Sequence, residues 1–241
     1  MTRSGGRKNN ELRKVKVTKD YIKYAEGSCL VEFGNTKVIT TASVDNAVPP
    51  FLKGKGVGWV TAEYGMIPRS CKTRVPRESS KGKLGGRTHE IQRLIGRAMR
   101  SVIDMPKLGE RTVWMDCDVI QADGGTRCAS ITGSFISLVL ALESMRKNKL
   151  IEEIPVSDYV AAVSVGMVKG EPVLDLDYEE DSTAEVDMNI IMTGAGKFIE
   201  VQGTAEREPF AQDEMNKLIA LGKKGIAEIV GIQKKILKGI I

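Results

Sequence analysis

Ala122-Asp123-Gly124-Gly125-Thr126-Arg127 joins an alternating run of residues to a long apolar one, and this junction decides how the chain folds. Upstream, Val113, Met115, Cys117 and Val119 alternate with polar neighbours, which predicts a half-buried strand over residues 113–120. Downstream, Ile131, Phe135, Leu138, Leu142 and Met145 recur at spacings of three and four, with Glu143 the lone charge between 129 and 145. That period predicts a core helix over 129–145. The first turn of such a helix has backbone N–H groups with no intrahelical partner. Gly124 and Gly125 let an oxyanion approach those groups, Thr126 adds a hydroxyl and Arg127 a bidentate fork, so the junction reads as a phosphate or sulfate site. A plain glycine turn with a solvated arginine fits the same six residues, and other segments must choose between the two.

The 241 residues suffice for one large domain, and no Pro/Gly/Ser linker marks a boundary, so residues 1–241 are expected to form a single folding unit. Hydrophobic residues make up 41% and charged residues 28%, the balance of a water-soluble globular protein. No apolar run approaches the roughly 18 residues of a membrane span, and the basic start, Thr2 to Lys8, leads into no apolar stretch of a secretory signal. The expectation is a cytoplasmic protein with no membrane partner. Cys29, Cys71, Cys117 and Cys128 form no CxxC pair, and the single histidine, His89, cannot complete a Cys/His cluster, which argues against structural zinc. His89 sits where a helix starts and receives no role.

The formal net charge of +5 is unevenly spread. Between Arg69 and Arg100 there are ten Lys or Arg against Glu78 and Glu90, a local +8 that leaves −3 for the rest of the chain. Such asymmetry is the footprint of a polyanion site, because each neutralised phosphate releases counterions. The window contains no Phe, Tyr or Trp, so contacts are expected to fall on phosphates and sugars rather than stacked bases. Residues 69–77, with a proline and no helical period, read as an exposed loop carrying Arg69, Arg74 and Arg77. Residues 88–103 read as a helix with an outer stripe of Arg93, Arg97 and Arg100, assigned to solvent or a subunit contact ahead of nucleic acid. Arg87, beside Gly85 and Gly86 at the entrance of that helix, is a second anion ligand.

Strands are expected over 30–33, 37–44 and 57–64, hairpins turning at Lys169-Gly170 and near Gly194-Ala195-Gly196, and a last helix over 212–237. Strands followed by a helix in each half suggest a duplicated α+β unit. Residues 172–178 read as a strand, 179–185 as an acidic turn and 186–192 as a second strand. Asp187 interrupts the start of that otherwise apolar strand, which costs burial energy unless a cation or hydrogen bonds compensate. With Asp181 a short turn away the two carboxylates can share a Mg²⁺, whose shell takes one or two carboxylates plus waters and phosphate oxygens. A solvated acidic hairpin is the competing reading.

Three segments together, GKLGGRTHEIQRLIGRAMR (82–100), QADGGTRCASITG (121–133) and EEDSTAEVDMN (179–189), resemble the ribonuclease PH family of phosphorolytic 3′-to-5′ exoribonucleases. EVQGTAEREPF (200–210), the opening GR…ELRKV (6–15) and the final helix extend the likeness over almost the whole chain. The chain departs from the family pattern at Gly6, Lys14 and Ser70-Cys71-Lys72, outside the phosphate and acidic sets. The resemblance implies an α+β fold of the ribosomal protein S5 domain 2-like (RNase PH) type, assembled as a homo-oligomer, a hexamer built as a trimer of dimers. It implies that Arg87, Gly125, Thr126 and Arg127 bind inorganic phosphate, that Asp181 and Asp187 hold a divalent metal and share catalysis with Arg127, and that Arg69, Arg74 and Arg77 hold RNA. The implied reaction is tRNA nucleotidyltransferase chemistry: phosphate attacks the 3′-terminal phosphodiester of precursor tRNA, or of another structured RNA such as a ribosomal precursor, and releases a nucleoside diphosphate, with reverse addition also open. An exosome-type ring subunit and a non-catalytic RNA-binding module are the alternatives.

Overall fold

The computed structural model describes residues 3–241. In chain order these form β1 (Val15–Lys19), β2 (Gly27–Phe33), β3 (Thr36–Asp45), β4 (Trp59–Met66), α1 (Gly86–Arg100), α2 (Met105–Leu108), β5 (Thr112–Gln121) and α3 (Thr126–Lys147). The second half continues with β6 (Val160–Val168), β7 (Glu171–Leu174), α4 (Tyr178–Asp181), β8 (Val186–Thr193), β9 (Phe198–Ala205) and α5 (Gln212–Ile236). The first sheet has the order β1-β2-β3-β5-β4 and the second β7-β6-β8-β9. All neighbours are antiparallel except β4 and β5, which the crossover through α1 makes parallel.

Helix α3 packs against β2 and β3 on one side and β6 on the other, so it is the layer between the sheets, while α5 covers the second sheet along β6 and β7. Both faces of β6 are therefore covered, which is why all nine of its residues are buried. Close approach of α3 to the first sheet depends on Gly133, where a Cβ would come within 2.8 Å of Val31 and 2.9 Å of Thr40. Small polar residues line that face: the Ser137 and Thr40 hydroxyls lie 2.7 Å apart, and Ser134 meets Cys117 at 3.1 Å.

The α+β reading holds: the strands expected over 30–33, 37–44 and 113–120 fall within β2, β3 and β5, the one expected over 57–64 overlaps β4, and the last helix is α5. The helix expected from 129 begins at Thr126, because Gly125 at φ +65° ends the loop before the apolar period starts. The strand expected over 172–178 stops at Leu174: Asp175 turns left-handed at φ +55°, and Asp177 caps α4, accepting from the Glu180 N–H while Glu180 accepts from the Asp177 N–H. The acidic turn is thus a short capped helix. Strand β1 was not among the expected strands: Val15 and Val17 do alternate with Lys16 and Thr18, but over five residues with only two half-buried apolar side chains the period is too short to stand out.

One expectation needs amending. By length and composition α3 is apolar enough to cross a bilayer, but almost all of it is buried between the two sheets, where a core helix shows the same composition.

Candidate active-site cleft

The N-terminus of α3 faces the second sheet across a cleft of about 40 Å³ lined by Arg87, Gly125, Thr126, Arg127, Ser164, Asp181, Asp187 and Asn189. Gly125 is the N-cap of α3, with no side chain over the first turn and no acidic residue in it, so the unpaired N–H groups and the positive end of the helix dipole are open to an anion. Arg127 is held from both sides: Nη1 donates to Gln202 Oε1 on β9 at 2.5 Å and lies 3.5 Å from Glu90 Oε1 on α1. Thr126 is buried, its Oγ1 3.0 Å from the Tyr64 hydroxyl on β4. Burial raises the Tyr64 pKa, so the phenol keeps its proton. Arg87 reaches in from the exposed first turn of α1.

The opposite wall follows from strand alternation. Asp187 and Asn189, two apart on β8, point to one face; Ser164 of β6 and Gln202 of β9 flank Asn189 in register on that same face. Asp181 arrives from the end of α4. Burial, then the neighbouring Asp181, push the Asp187 carboxyl up to about 6 against the pull of Arg127, and burial likewise raises Asp181 while Arg87 and Arg127 lower it. Asp187 Oδ1 is buried with no hydrogen-bond partner. Among the described residues no cluster of three or more His, Cys, Asp or Glu side chains forms a metal site, so a divalent ion here would rest on two carboxylates, with waters or phosphate oxygens completing its shell. That donor set and the orphaned oxygen fit Mg²⁺. Cys128, in the same turn of α3, is no nucleophile: burial pushes its thiol pKa up, and Sγ packs at 3.3 Å from Asn189 Oδ1.

Models of the 3′ exoribonuclease family match twice, domain 1 over residues 11–142 and domain 2 over residues 158–225. Ribonuclease PH of Listeria welshimeri is 59% identical over 236 residues, covering 98% of this chain and 95% of that protein. Ribonuclease PH of Syntrophomonas wolfei is 56% identical over 237 residues, 98% of this chain and 99% of that one. The chain belongs to the 3′ exoribonuclease family. Two solved structures share the exoribonuclease fold: rice (Oryza sativa) Rrp46, with a TM-score of 0.79 at 17% identity over 98% of this chain and 100% of that one, and an Archaeoglobus fulgidus exosome with RNA bound to the active site, with a TM-score of 0.79 at 21% identity over 95% and 92%.

The residues expected to bind phosphate, Arg87, Gly125, Thr126 and Arg127, and the acidic pair Asp181 and Asp187 all line this cleft, but the three arginines expected to hold RNA do not join them. Arg69 lines a separate cleft of about 490 Å³ with Lys72, Gln121, Asp123 and Glu179, and Arg77 a third, of about 150 Å³, with Tyr64, Glu78 and Asp118. Arg69, Arg74 and Arg77 are all exposed. Of the helical stripe, Arg93 stays exposed, Arg97 pairs with Glu200, and Arg100 stacks on Trp59 at 4.4 Å and donates to the Val60 carbonyl at 2.8 Å. Arg97 and Arg100 are therefore engaged within the exoribonuclease fold. The sequence reading missed Ser164, Asn189, Gln202 and Tyr64. Asn189, at two residues from Asp187, was open to discovery by alternation, and Ser164 by being the one hydroxyl in the apolar run 160–168; Gln202 and Tyr64 carry no such signal.

Proposed function

We propose that this cleft binds inorganic phosphate at the start of α3 and directs it at the 3′-terminal phosphodiester of an RNA. Arg87, the backbone at Gly125 and Thr126, and the Arg127 guanidinium form the phosphate subsite; a Tyr64 hydroxyl donating to Thr126 leaves the Thr126 O–H free to donate to the anion. A phosphate oxygen attacks the terminal phosphorus, the bond to the 3′ oxygen of the preceding nucleotide breaks, and that oxygen takes up a proton. The products are a nucleoside diphosphate and an RNA one residue shorter. The obstacle is bringing two anions together, so positive charge and positioning, rather than a side-chain nucleophile, supply the acceleration.

Asp181 and Asp187 would hold Mg²⁺, which supplies charge neutralisation at the scissile phosphate when bound. Without a metal on it, the Asp187 carboxyl, pushed up to about 6 by burial and Asp181, could instead deliver the proton to the departing 3′ oxygen. The observation that carries this reading is the convergence of a fixed arginine, an open helix N-terminus and an unpartnered carboxylate oxygen on one cleft. Precursor tRNA is the proposed substrate and Arg69, Arg74 and Arg77 the residues that grip its strand outside the cleft. A homohexameric ring, a trimer of dimers, is the proposed assembly, to be read from solution mass. The chain is taken as one folding unit, supported by α3 serving both sheets. A cytoplasmic setting is supported by four free thiols, three of them buried.

The test is incubation with RNA bearing an unpaired 3′ tail and Mg²⁺, with and without phosphate. Nucleoside diphosphates released only with phosphate support the reading. Monophosphates, or products independent of phosphate, refute it.

A further inference from the structure

Arg13, in the segment before β1, is 7% exposed, and Asp175, just after β7, is 2% exposed. The Arg13 backbone N–H and Nε donate to Asp175 Oδ2 at 2.8 and 3.0 Å, and Nη2 donates to Oδ1 at 2.7 Å. The guanidinium has a second job. Nη1 donates to the Asp123 carbonyl at 2.5 Å and both terminal nitrogens reach the Gly124 carbonyl, at 3.5 and 3.4 Å. Arg13 thus spans from Asp175 to the loop that ends at the N-cap of α3. Nη2 lies 2.9 Å from where a Cβ on Gly125 would stand.

Asp175 is equally fixed on its other side. Its N–H donates to the Ser164 carbonyl at 2.7 Å, and the Leu176 N–H donates to the Ser164 hydroxyl at 3.1 Å, so a cleft residue holds the left-handed turn. The chain then passes behind Gly124, whose Cβ would meet the Leu176 carbonyl and Asp177 backbone at 2.6 Å, and enters α4, which carries Asp181. Arg3 reaches the same turn without touching the 123–125 loop: Nε and Nη2 donate to the Glu180 carboxylate at 2.7 and 2.8 Å, and Nη2 also donates to the Leu174 and Asp175 carbonyls at 2.8 and 3.0 Å. Neither Arg13 nor Asp175 lines the cleft.

We propose that the Arg13–Asp175 ion pair is a positioning device, fixing the 123–125 loop, and with it the phosphate subsite at the start of α3, against the turn that delivers Asp181. This rests on the cleft being the phosphate site proposed above. The planar fork matters more than the charge, because a lysine ammonium cannot bond both carboxylate oxygens and reach two carbonyls.

Arg13→Lys is expected to raise the KM for phosphate about tenfold, with the KM for RNA within twofold of wild type. Asp175→Asn, which keeps the shape and one acceptor, is expected to give the same signature. Arg3→Lys, which loosens the 174–175 carbonyls and Glu180 but has no bond to the 123–125 loop, is expected to raise the Mg²⁺ concentration for half-maximal activity and leave the phosphate KM unchanged. A merely structural pair would lower kcat with the folded fraction and leave both KM values unmoved, and that result overturns the proposal. So does a failure of both Arg13→Lys and Asp175→Asn to fold, which would make the pair a folding determinant. A wild-type chain that releases no nucleoside diphosphate sinks the proposed function instead; the pair is then read by calorimetry of inorganic phosphate, which the Arg13→Lys change should weaken by the same factor.

Discussion

Asp187 on β8 and Arg127 in the first turn of α3 share one cleft, yet among the described residues no ion pair joins them. Arg127 is held by Gln202 and Glu90, while Asp187 keeps one oxygen without a partner. The Glu90 contact is long and, like the Gln202 bond, uses Nη1 alone, so among the described residues Nε and Nη2 of Arg127 keep their donors for an anion while Asp187 Oδ1 is left for a cation.

Replacing Arg127 by alanine should lower phosphorolysis by on the order of 100-fold or more, the scale of losing one preorganised donor to a developing charge. The protein should still fold, because the side chain's links to Gln202 and Glu90 lie at the cleft wall rather than in the core. Steady-state rates at saturating phosphate check this. Near-normal turnover there would remove Arg127 from the mechanism.

Asp187 makes stability and activity pull in opposite directions. Its carboxyl stands near 6 in the folded chain against an ordinary 3.8, so between those values the folded state binds the extra proton. The stability associated with this group is present below about pH 4 and lost as pH rises through about 6. Asp187→Asn should therefore stabilise the protein at pH 7 without metal, by about 2 kcal/mol once partial exposure is allowed for, with the gain fading towards pH 4. The same variant should lose phosphorolysis. Melting temperatures in chelator across that pH range give the answer, and an Asp187→Asn protein no more stable than wild type at pH 7 contradicts the assigned burial cost.

Why some of this was legible and some was not comes down to range. The 122–127 junction carries its own signal, since two glycines between an alternating run and a 3.6-residue period mark a left-handed turn that other residues avoid, and both have positive φ. Asp187 was conspicuous because it breaks an apolar strand. What remained hidden is held by long-range partners: Gln202 acquires meaning only when β9 lies beside β8, and Asp175 only when Arg13, over 150 residues earlier, folds onto it. The end of β7 at Leu174 was misread because hydropathy continues through Leu176 while the backbone does not. Local pattern shows which faces are apolar, and only the packed chain shows which polar groups meet.

Changing Arg69, Arg74 and Arg77 together to alanine should weaken RNA binding and leave the phosphate KM unchanged, because all three stand outside the phosphate cleft. On a single strand, each phosphate that goes unneutralised flattens the dependence of log K on log salt by roughly 0.7, so the triple variant should show a slope shallower by about 2. Arg97→Ala is the control, since Glu200 already engages that guanidinium. RNA titrations at several salt concentrations separate the cases. Equal slopes for wild type and the triple variant would take the loop out of the interface.

Glycines at the junction should not be interchangeable with those elsewhere. Gly124 has φ +74°, and a Cβ there would stand 2.6 Å from the Leu176 carbonyl oxygen and the Asp177 backbone, atoms fixed by the turn into α4. Gly124→Ala must shift that turn, so it should cost about 1–3 kcal/mol and sharply reduce phosphorolysis. Gly231, inside α5, has nothing within 4 Å and ordinary helical backbone, so Gly231→Ala should gain up to about 1 kcal/mol and leave activity alone. Chemical denaturation of the two variants beside wild type measures both signs. A Gly124→Ala protein as stable and active as wild type would mean that the loop is not pressed against the 176–177 backbone, and would break the link between the phosphate subsite and the acidic turn.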